Sequence, residues 1–134
     1  MAITRAGERP TRIAPAEYFT GHVLQDPVVV APPPARVRAL IVQFAPGART
    51  HWHAHALGQT LHVLSGVGRV QEEGGPLREI RPGDTVWIPP EVKHWHGAAP
   101  EVAMTHMAIQ EVEDRDTQWM EAVAEETAAG PVTG

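Results

Sequence analysis

Histidine recurs at every second position in one short stretch of the chain, at His51, His53 and His55. Successive side chains of a β-strand point to opposite faces, so a strand here would place all three imidazoles on one face. A second pair with the same spacing, His94 and His96, lies further along the chain. Imidazole is the commonest protein ligand for first-row divalent metals, so the pattern predicts β-structure around a metal site. The alternative is a set of ordinary inward-facing histidines satisfied by hydrogen bonds.

Turn-forming residues divide the chain into short stretches. The 134 residues include 13 Pro and 12 Gly, a frequency that favours short strands over long helices. Turn signals about every eight to twelve residues are typical of an all-β sandwich or barrel. We expect a stiff proline loop at 31–35 and strands at 17–24, 36–44, 50–55, 59–65, 68–72, 77–80, 85–88, 94–97 and 102–111.

The composition changes towards the C-terminus. Asp116 or Thr117 is predicted to cap a helix that runs to about Glu126. This helix would place Trp119 and Val123 on one face. The sequence therefore predicts an all-β fold followed by a short C-terminal helix.

The composition also limits the chemistry. Without cysteine there is no disulfide framework and no thiolate, so nitrogen and oxygen ligands would hold a metal. A formal net charge of −5 with scattered basic residues argues against nucleic acid or anionic lipid as a partner. We see no apolar run of about 18 residues and no secretory signal, so we expect a cytoplasmic protein with no membrane partner. The length suits a single domain over 1–134, with a metal-binding core at about 36–111.

The spacing of the first histidine group resembles the first motif of the cupin family, G-x5-H-x-H-x3–4-E-x6-G. Gly47 is followed after five residues by His53 and His55, then by Gln59, and after six more residues by Gly66. The register fits at every point, and the single departure is Gln59 in place of the glutamate.

The second histidine pair resembles the second cupin motif, G-x5-P-x-G-x2-H-x3-N. Gly83, Pro89 and His94 fit this motif, whereas Glu91 and Ala98 replace its second glycine and its asparagine. The two motifs together imply a double-stranded β-helix, or jelly-roll, barrel with the site in its mouth.

A narrower similarity, to the bacterial cupin hydroxynitrile lyases, is carried by PGARTHWHAHALGQTLHV, GGPLREIRPGDTVWIPPEVKHWHGAAP and AMTHMAIQE. Those enzymes depend on manganese and reversibly split cyanohydrins into an aldehyde and cyanide. The resemblance implies one divalent ion per subunit, with Mn expected and Fe, Ni or Zn compatible, held by His53, His55, Gln59 and His94. It implies a catalytic cavity that contains Thr50, His96, His106 and Gln110.

Gln59 is the informative departure from the wider family. It ligates through a carbonyl oxygen and brings no charge, so a divalent ion would keep its full positive charge. Such a site favours a hard ion and can polarise a carbonyl or hold an anion. The alternative is that the metal has been lost and that Gln59 only forms hydrogen bonds.

The residues expected beside the metal each have a second interpretation. His96 and His106 are predicted to act as general base, acid or anion donor, but they could instead form a buried network that orients the ligands. Gln110 suits a substrate oxygen or a cyanide nitrogen, or it caps a strand end. His51 has inward parity and is predicted as a pocket wall, with a fifth ligand as the alternative. Thr50 has outward parity, so its place near the site requires a bulge or a strand edge.

Apolar side chains on the inward faces predict the remaining walls of the substrate pocket: Leu40, Val42, Phe44 and Leu61. Plain barrel core is compatible with that role, since core and pocket are continuous in this fold. Trp52 and Trp95 have outward parity, and we expect them to pack on a neighbouring element or subunit because an exposed Trp is unfavourable.

The resemblance implies a metal-dependent carbon–carbon lyase that reversibly cleaves a cyanohydrin such as mandelonitrile. A cupin dioxygenase, decarboxylase or isomerase acting on a small organic acid is the second hypothesis, and a non-catalytic module that binds a small molecule is the third. We expect a small-molecule substrate and a homo-oligomer, a dimer or a tetramer, because such assemblies are common in the family.

Overall fold

The computed structural model describes residues 1–115 and 117–134. These residues form thirteen β-strands and one short α-helix: β1 Arg12–Ile13, β2 Phe19–Thr20, β3 Val23–Val30, β4 Val37–Phe44, β5 Arg49–Thr50, β6 His53–Ala54, β7 Gln59–Gly66, β8 Gly68–Glu72, β9 Arg78–Ile80, β10 Thr85–Ile88, β11 His94–Ala98, β12 Met104–Glu111, β13 Gln118–Trp119 and α1 Glu125–Ala128. No helix in these two ranges is long and apolar enough to cross a membrane.

The strands form two sheets that face each other. The first sheet has the order β1-β3-β4-β12-β7-β10, and the second has the order β13-β6-β11-β5-β2 with β8 pairing to β11 and β9. Strand neighbours in both sheets are antiparallel. Because strands far apart in sequence pair, the two halves of the chain interleave. The all-β fold with a short C-terminal helix is therefore confirmed.

One apolar core joins the two sheets. Val42, Phe44 and Met104 contribute from the first sheet, and Phe19 and Val70 from the second. Burial of such side chains removes roughly 1.5–3 kcal/mol of unfavourable hydration each. The core lies beside the metal motifs, so it fixes the strands that carry the histidines.

The predicted strand at 50–55 is wrong as a single element. It is split into β5 and β6, and the two residues between them belong to neither strand. There His51 N still donates beside β2, to Tyr18 O at 2.8 Å, whereas Trp52 N donates to Glu121 O in the C-terminal segment at 2.9 Å. The break resets the alternation of side chains, which decides the positions of Thr50 and His51. The predicted strand at 17–24 is likewise divided, into β2 and β3.

The predicted helix up to Glu126 is also wrong in its extent. Gln118 and Trp119 form an edge strand on β6, and only Glu125–Ala128 is helical. The pairing satisfies backbone groups that an isolated helix end would leave free, since Met120 N donates to Trp52 O at 2.8 Å. The proposed cap at Asp116 lies outside the described residues.

The C-terminal segment covers the outer face of β11. Trp95 is fully buried, in a cluster with Leu77, Val123 and Ala128, and the partly buried Trp52 packs against the same cluster. The Trp95 indole N–H donates to Gln71 Oε1 at 2.9 Å. The expectation that both tryptophans pack on a neighbouring element is confirmed, and that element belongs to the same chain.

Candidate metal centre and adjoining pocket

Three strands and one turn bring the predicted ligands together. His53 in β6 is the register partner of His94 at the start of β11. His55 follows β6 in the turn, and Gln59 is the first residue of β7. The ring centroids of His53 and His94 are 4.2 Å apart, those of His53 and His55 are 5.0 Å apart, and those of His55 and His94 are 5.7 Å apart. All four side chains are buried.

Each of the three imidazoles is held from behind through its Nδ1 atom. His53 Nδ1 donates to His51 O at 2.9 Å, and His94 Nδ1 donates to Val92 O at 2.8 Å. His55 Nδ1 lies 3.2 Å from Thr117 Oγ1. This arrangement leaves every Nε2 atom as the free ring nitrogen, and His55 Nε2 is buried without a hydrogen-bond partner. Metal-binding histidines are commonly fixed in this way.

Gln59 completes the set with a carbonyl oxygen. Its Nε2 donates to Gln110 Oε1 at 2.8 Å, which turns its Oε1 towards His94 Nε2 at 3.3 Å. Because His94 carries its proton on Nδ1, these two facing atoms are both acceptors. Two lone pairs at this distance repel each other unless a cation lies between them. The donor set therefore fits a metal ion.

The electrostatics keep these ligands neutral at physiological pH. Burial lowers the pKa of His53 well below its usual value, and the neighbouring His94 and His55 lower it further. Burial lowers the pKa of His55 to about 4, with a further decrease from His94 and an opposing increase from Gln59. Burial also lowers the pKa of His94 to about 4. Neutral imidazoles offer the lone pairs that a metal requires.

A fourth histidine lies against the cluster. Ligand atoms of His53, His94 and His96 lie within 4.8 Å of one another, a closer group than one that includes His55. However, His96 Nδ1 already bonds His106 Nε2 at 2.9 Å, whereas His55 contacts Gln59. Hydrogen bonding therefore associates His55 with the amide ligand and His96 with His106.

The cluster opens into a pocket of about 480 Å³. Its lining residues come from both sheets and from the C-terminal segment: Tyr18, Phe19, Gln25, Arg38, Leu40, Val42, Thr50, His53, His55, Gln59, His96, Ala108, Gln110, Thr117 and Trp119. A larger cavity of about 680 Å³ lies at the edge strands β9 and β10, but His94 is its only residue from the cluster. The smaller pocket is therefore the one that adjoins the candidate ligands.

The structure divides the predicted wall residues into two groups. Leu40 and Val42 line the pocket. Phe44 and Leu61 are almost fully buried in the core behind it, and Phe44 packs its ring 5.2 Å from that of His106. His51 does not line the pocket, because the break after β5 turns it away and only its carbonyl oxygen serves the site, as the acceptor for His53.

Three of the four predicted catalytic residues line the pocket, and the fourth lies behind one of them. Thr50, His96 and Gln110 line the pocket. Thr50 Oγ1 accepts from His96 N at 3.2 Å, so the strand break gives this threonine the inward position that alternation denied it. His106 lies one layer deeper, fully buried, and reaches the pocket only through His96. Burial lowers the pKa of His106 to about 4.

Several pocket residues were missed in the sequence. Arg38 has the parity of Leu40 and Val42, so its inward direction was readable from alternation. Trp119 and Thr117 were assigned to a helix, and nothing in the sequence indicated that this segment would return to β6 as an edge strand. The rings of Trp119 and His53 lie 4.6 Å apart.

The fold and this site define a cupin. The Cupin domain family model matches residues 40–109, and the chain belongs to that family. It is 54% identical over 127 residues to (R)-mandelonitrile lyase from Granulicella tundricola. The aligned region covers 94% of this chain and 97% of that protein.

Solved structures agree with the family membership. A cupin-like protein from Thermotoga maritima matches with a TM-score of 0.85 and 37% identity over 94% of this chain and 98% of that chain. The polyketide cyclase RemF from Streptomyces resistomycificus matches with a TM-score of 0.76 over 93% of this chain and 89% of that chain. At 15% identity, the second likeness shows the fold alone.

Proposed function

We propose that this cupin is a metal-dependent hydroxynitrile lyase that reversibly cleaves a cyanohydrin such as mandelonitrile to an aldehyde and cyanide. The observation that carries the proposal is the 54% identity to an (R)-mandelonitrile lyase over nearly the whole of both chains. A buried site of three histidines and one glutamine beside an apolar-walled pocket supports it.

The proposed ligands are Nε2 of His53, His55 and His94 together with Oε1 of Gln59. The opposed acceptors of Gln59 and His94, together with the contact between His55 and Gln59, support this choice over one that includes His96, whose Nδ1 is anchored in the same way by His106. A divalent ion here, with Mn expected, would supply a Lewis acid that makes the substrate hydroxyl more acidic. Because all four donors are uncharged, they leave the charge of the ion undiminished.

We assign the exchange of the substrate proton to His96. It lines the pocket, and its Nε2 is buried without a hydrogen-bond partner. If His96 donates its Nδ1 proton to His106 Nε2 at 2.9 Å, its own Nε2 keeps a lone pair that faces the pocket. Burial lowers the pKa of His96 well below its usual value, and nearby histidines, first His106, lower it further, so the ring is a neutral acceptor. His106 and Thr50 are then positioning residues for His96.

Carbon–carbon cleavage follows from removal of this proton. As His96 Nε2 takes the hydroxyl proton, the oxygen electrons form the aldehyde carbonyl and the electron pair of the broken C–C bond leaves with cyanide. Cyanide then takes the proton back and departs as hydrogen cyanide, so no net redox change occurs. Gln110 lines the same space and its amide can donate to the cyanide nitrogen. Leu40, Val42 and Ala108 would hold the aryl or alkyl group.

The test is cleavage of mandelonitrile without air, measured as benzaldehyde and cyanide release, with manganese-loaded and chelator-treated protein. We expect release that depends on the metal and that falls at least 100-fold in His96→Gln. His22→Gln, at an exposed position away from both motifs, is the matched control. Cyanide release no faster than the uncatalysed background from the manganese-loaded protein would overturn the proposal.

A further inference from the structure

We propose that Arg38 is an anion-recognition residue of this pocket, and that the preferred substrate is a cyanohydrin that carries a carboxylate on its side chain. The inference rests on the proposed function for the identity of the reacting group. It adds the chemical class of the remainder of the substrate.

Arg38 is a half-buried cation that forms no ion pair within the part of the chain that the structure describes. Its Nε is buried and has no hydrogen-bond partner. Within residues 1–115 and 117–134, no carboxylate lies within 4.0 Å of its guanidinium, although Arg49, Arg81 and Arg115 all have one. A buried donor left unsatisfied is destabilising, and a guanidinium more so. An anionic ligand in the pocket would satisfy this donor.

The register places Arg38 in line with the metal ligands. Arg38 in β4 is opposite Gln110 in β12, whose side chain hydrogen-bonds to Gln59 on the next strand. Two strand spacings separate the Cα atoms of Arg38 and Gln59 by about 10 Å. Arg38 and His55 also share the walls of both the main pocket and a small cavity of about 50 Å³ beside it. A substrate whose hydroxyl lies at the histidines would direct its far end towards the guanidinium.

The charge of the pocket favours an anion. Its lining contains Arg38 and no Asp or Glu among the described residues. Glu111, Glu113 and Arg115 line the small cavity beside the pocket and not the pocket itself. The proposed ligands are neutral and would leave a bound divalent ion with its full charge. An anionic substrate would be attracted to these positive charges, while a neutral one would leave the guanidinium desolvated and unpaired.

A carboxylate matches Arg38 better than the released cyanide does. The planar guanidinium presents parallel N–H donors that pair bidentately with the two oxygens of a carboxylate. Cyanide is linear and offers one terminal lone pair at each end, so it cannot use this geometry. We therefore assign Arg38 to the substrate side chain and leave cyanide to the region of Gln110.

The kinetic test compares two cyanohydrins that differ in charge and by one methyl group, those of 4-formylbenzoate and of its methyl ester. We expect the wild-type protein to favour the carboxylate about 10- to 100-fold in kcat/KM, mostly through KM. Arg38→Leu should remove this preference and keep kcat/KM for the ester within about threefold of the wild-type value. Arg38→Lys should retain part of the preference. Arg12→Leu, an exposed arginine in β1, matches the change in net charge and should leave the preference intact.

A binding test without turnover separates this inference from the lyase proposal. The ligands are 4-(hydroxymethyl)benzoate and its methyl ester, which contain no nitrile, and the readout is their dissociation constant measured by NMR titration of the metal-loaded protein. We expect the carboxylate to bind at least tenfold more tightly, and Arg38→Leu to abolish the difference. If neither cyanohydrin is cleaved, the lyase proposal fails and this binding result alone decides on Arg38.

Two outcomes would overturn the assignment. One is an equal loss of both substrates in Arg38→Leu with normal metal content, which would make Arg38 a support for Gln110. The other is a change in inhibition by cyanide with no change in carboxylate preference, which would place cyanide at the guanidinium.

Discussion

Mild acid should destabilise the metal-free protein, because its site buries neutral histidines. His55, His94 and His106 each have a pKa of about 4 in the folded chain, chiefly through burial, against 6.5 when unfolded. Between these values the unfolded chain binds more protons than the folded chain. The stabilisation is therefore fully present above about pH 6.5 and is lost as the pH falls towards about 4.

The magnitude follows from the size of the shift. One pH unit corresponds to 1.36 kcal/mol for one proton, so a single histidine accounts for roughly 3.4 kcal/mol over its whole range. Three independent histidines would lose roughly 10 kcal/mol, which is comparable to the whole stability of a typical domain. The charged forms of His55 and His94 repel each other. This repulsion further suppresses proton uptake by the folded chain, so the unfolded chain binds between about two and three more protons at these sites, which corresponds to about 3–4 kcal/mol per pH unit between about pH 6 and pH 5.

The assay is urea unfolding of the chelator-treated protein at a series of pH values from about 7.5 to about 5, followed by tryptophan fluorescence. His106→Gln removes one buried titrating group and should reduce the slope by up to about 1.4 kcal/mol per pH unit. His22→Gln is the control, since His22 is exposed. A free energy of unfolding that does not change between pH 7 and pH 5 would refute the reasoning.

Three other substitutions test separate parts of the structure. Gln110→Leu frees the Gln59 amide, and we expect metal affinity to fall about 10- to 100-fold in competition with a chelating dye; unchanged affinity would contradict this role. His106→Gln should lower kcat for mandelonitrile about 10- to 1,000-fold with little change in KM or metal content, because it acts through His96; a loss confined to metal content would contradict it. Gly66→Ala should destabilise the fold by more than about 2 kcal/mol in urea, since its Cβ would lie 1.8 Å from a carbonyl oxygen, whereas Gly74→Ala has a similar φ and open space and should cost less.

The strand pattern was readable from the sequence where local signals act alone. Pro and Gly mark most turns, and the alternation of Arg38, Leu40 and Val42 gives their shared inward face without any tertiary information. The same alternation places Gln59 and Leu61 inward on β7. The spacing of the histidines led to the family, which the comparisons confirm.

The errors arise where distant segments decide the local structure. His51 was predicted as a pocket wall from its parity, but the strand is interrupted at Trp52, whose backbone N–H donates to Glu121 O. The residues near Trp119 were predicted as a helix from their composition, but β6 offers them backbone partners. Neither partner is close in sequence, so a short segment of the chain does not include the residues that determine its structure. A homo-oligomer and a cytoplasmic location stay predictions.

The metal content of protein purified without an affinity tag tests the central claim most directly. We predict about one equivalent of a divalent ion, expected to be manganese, per wild-type chain, and a loss of at least 90% of this metal in His55→Ala and Gln59→Ala with folding retained. His62→Ala, on the outer face of β7, should keep the full equivalent. Wild-type protein that contains no metal after growth with manganese and still cleaves mandelonitrile at full rate in the presence of a chelator would contradict the account.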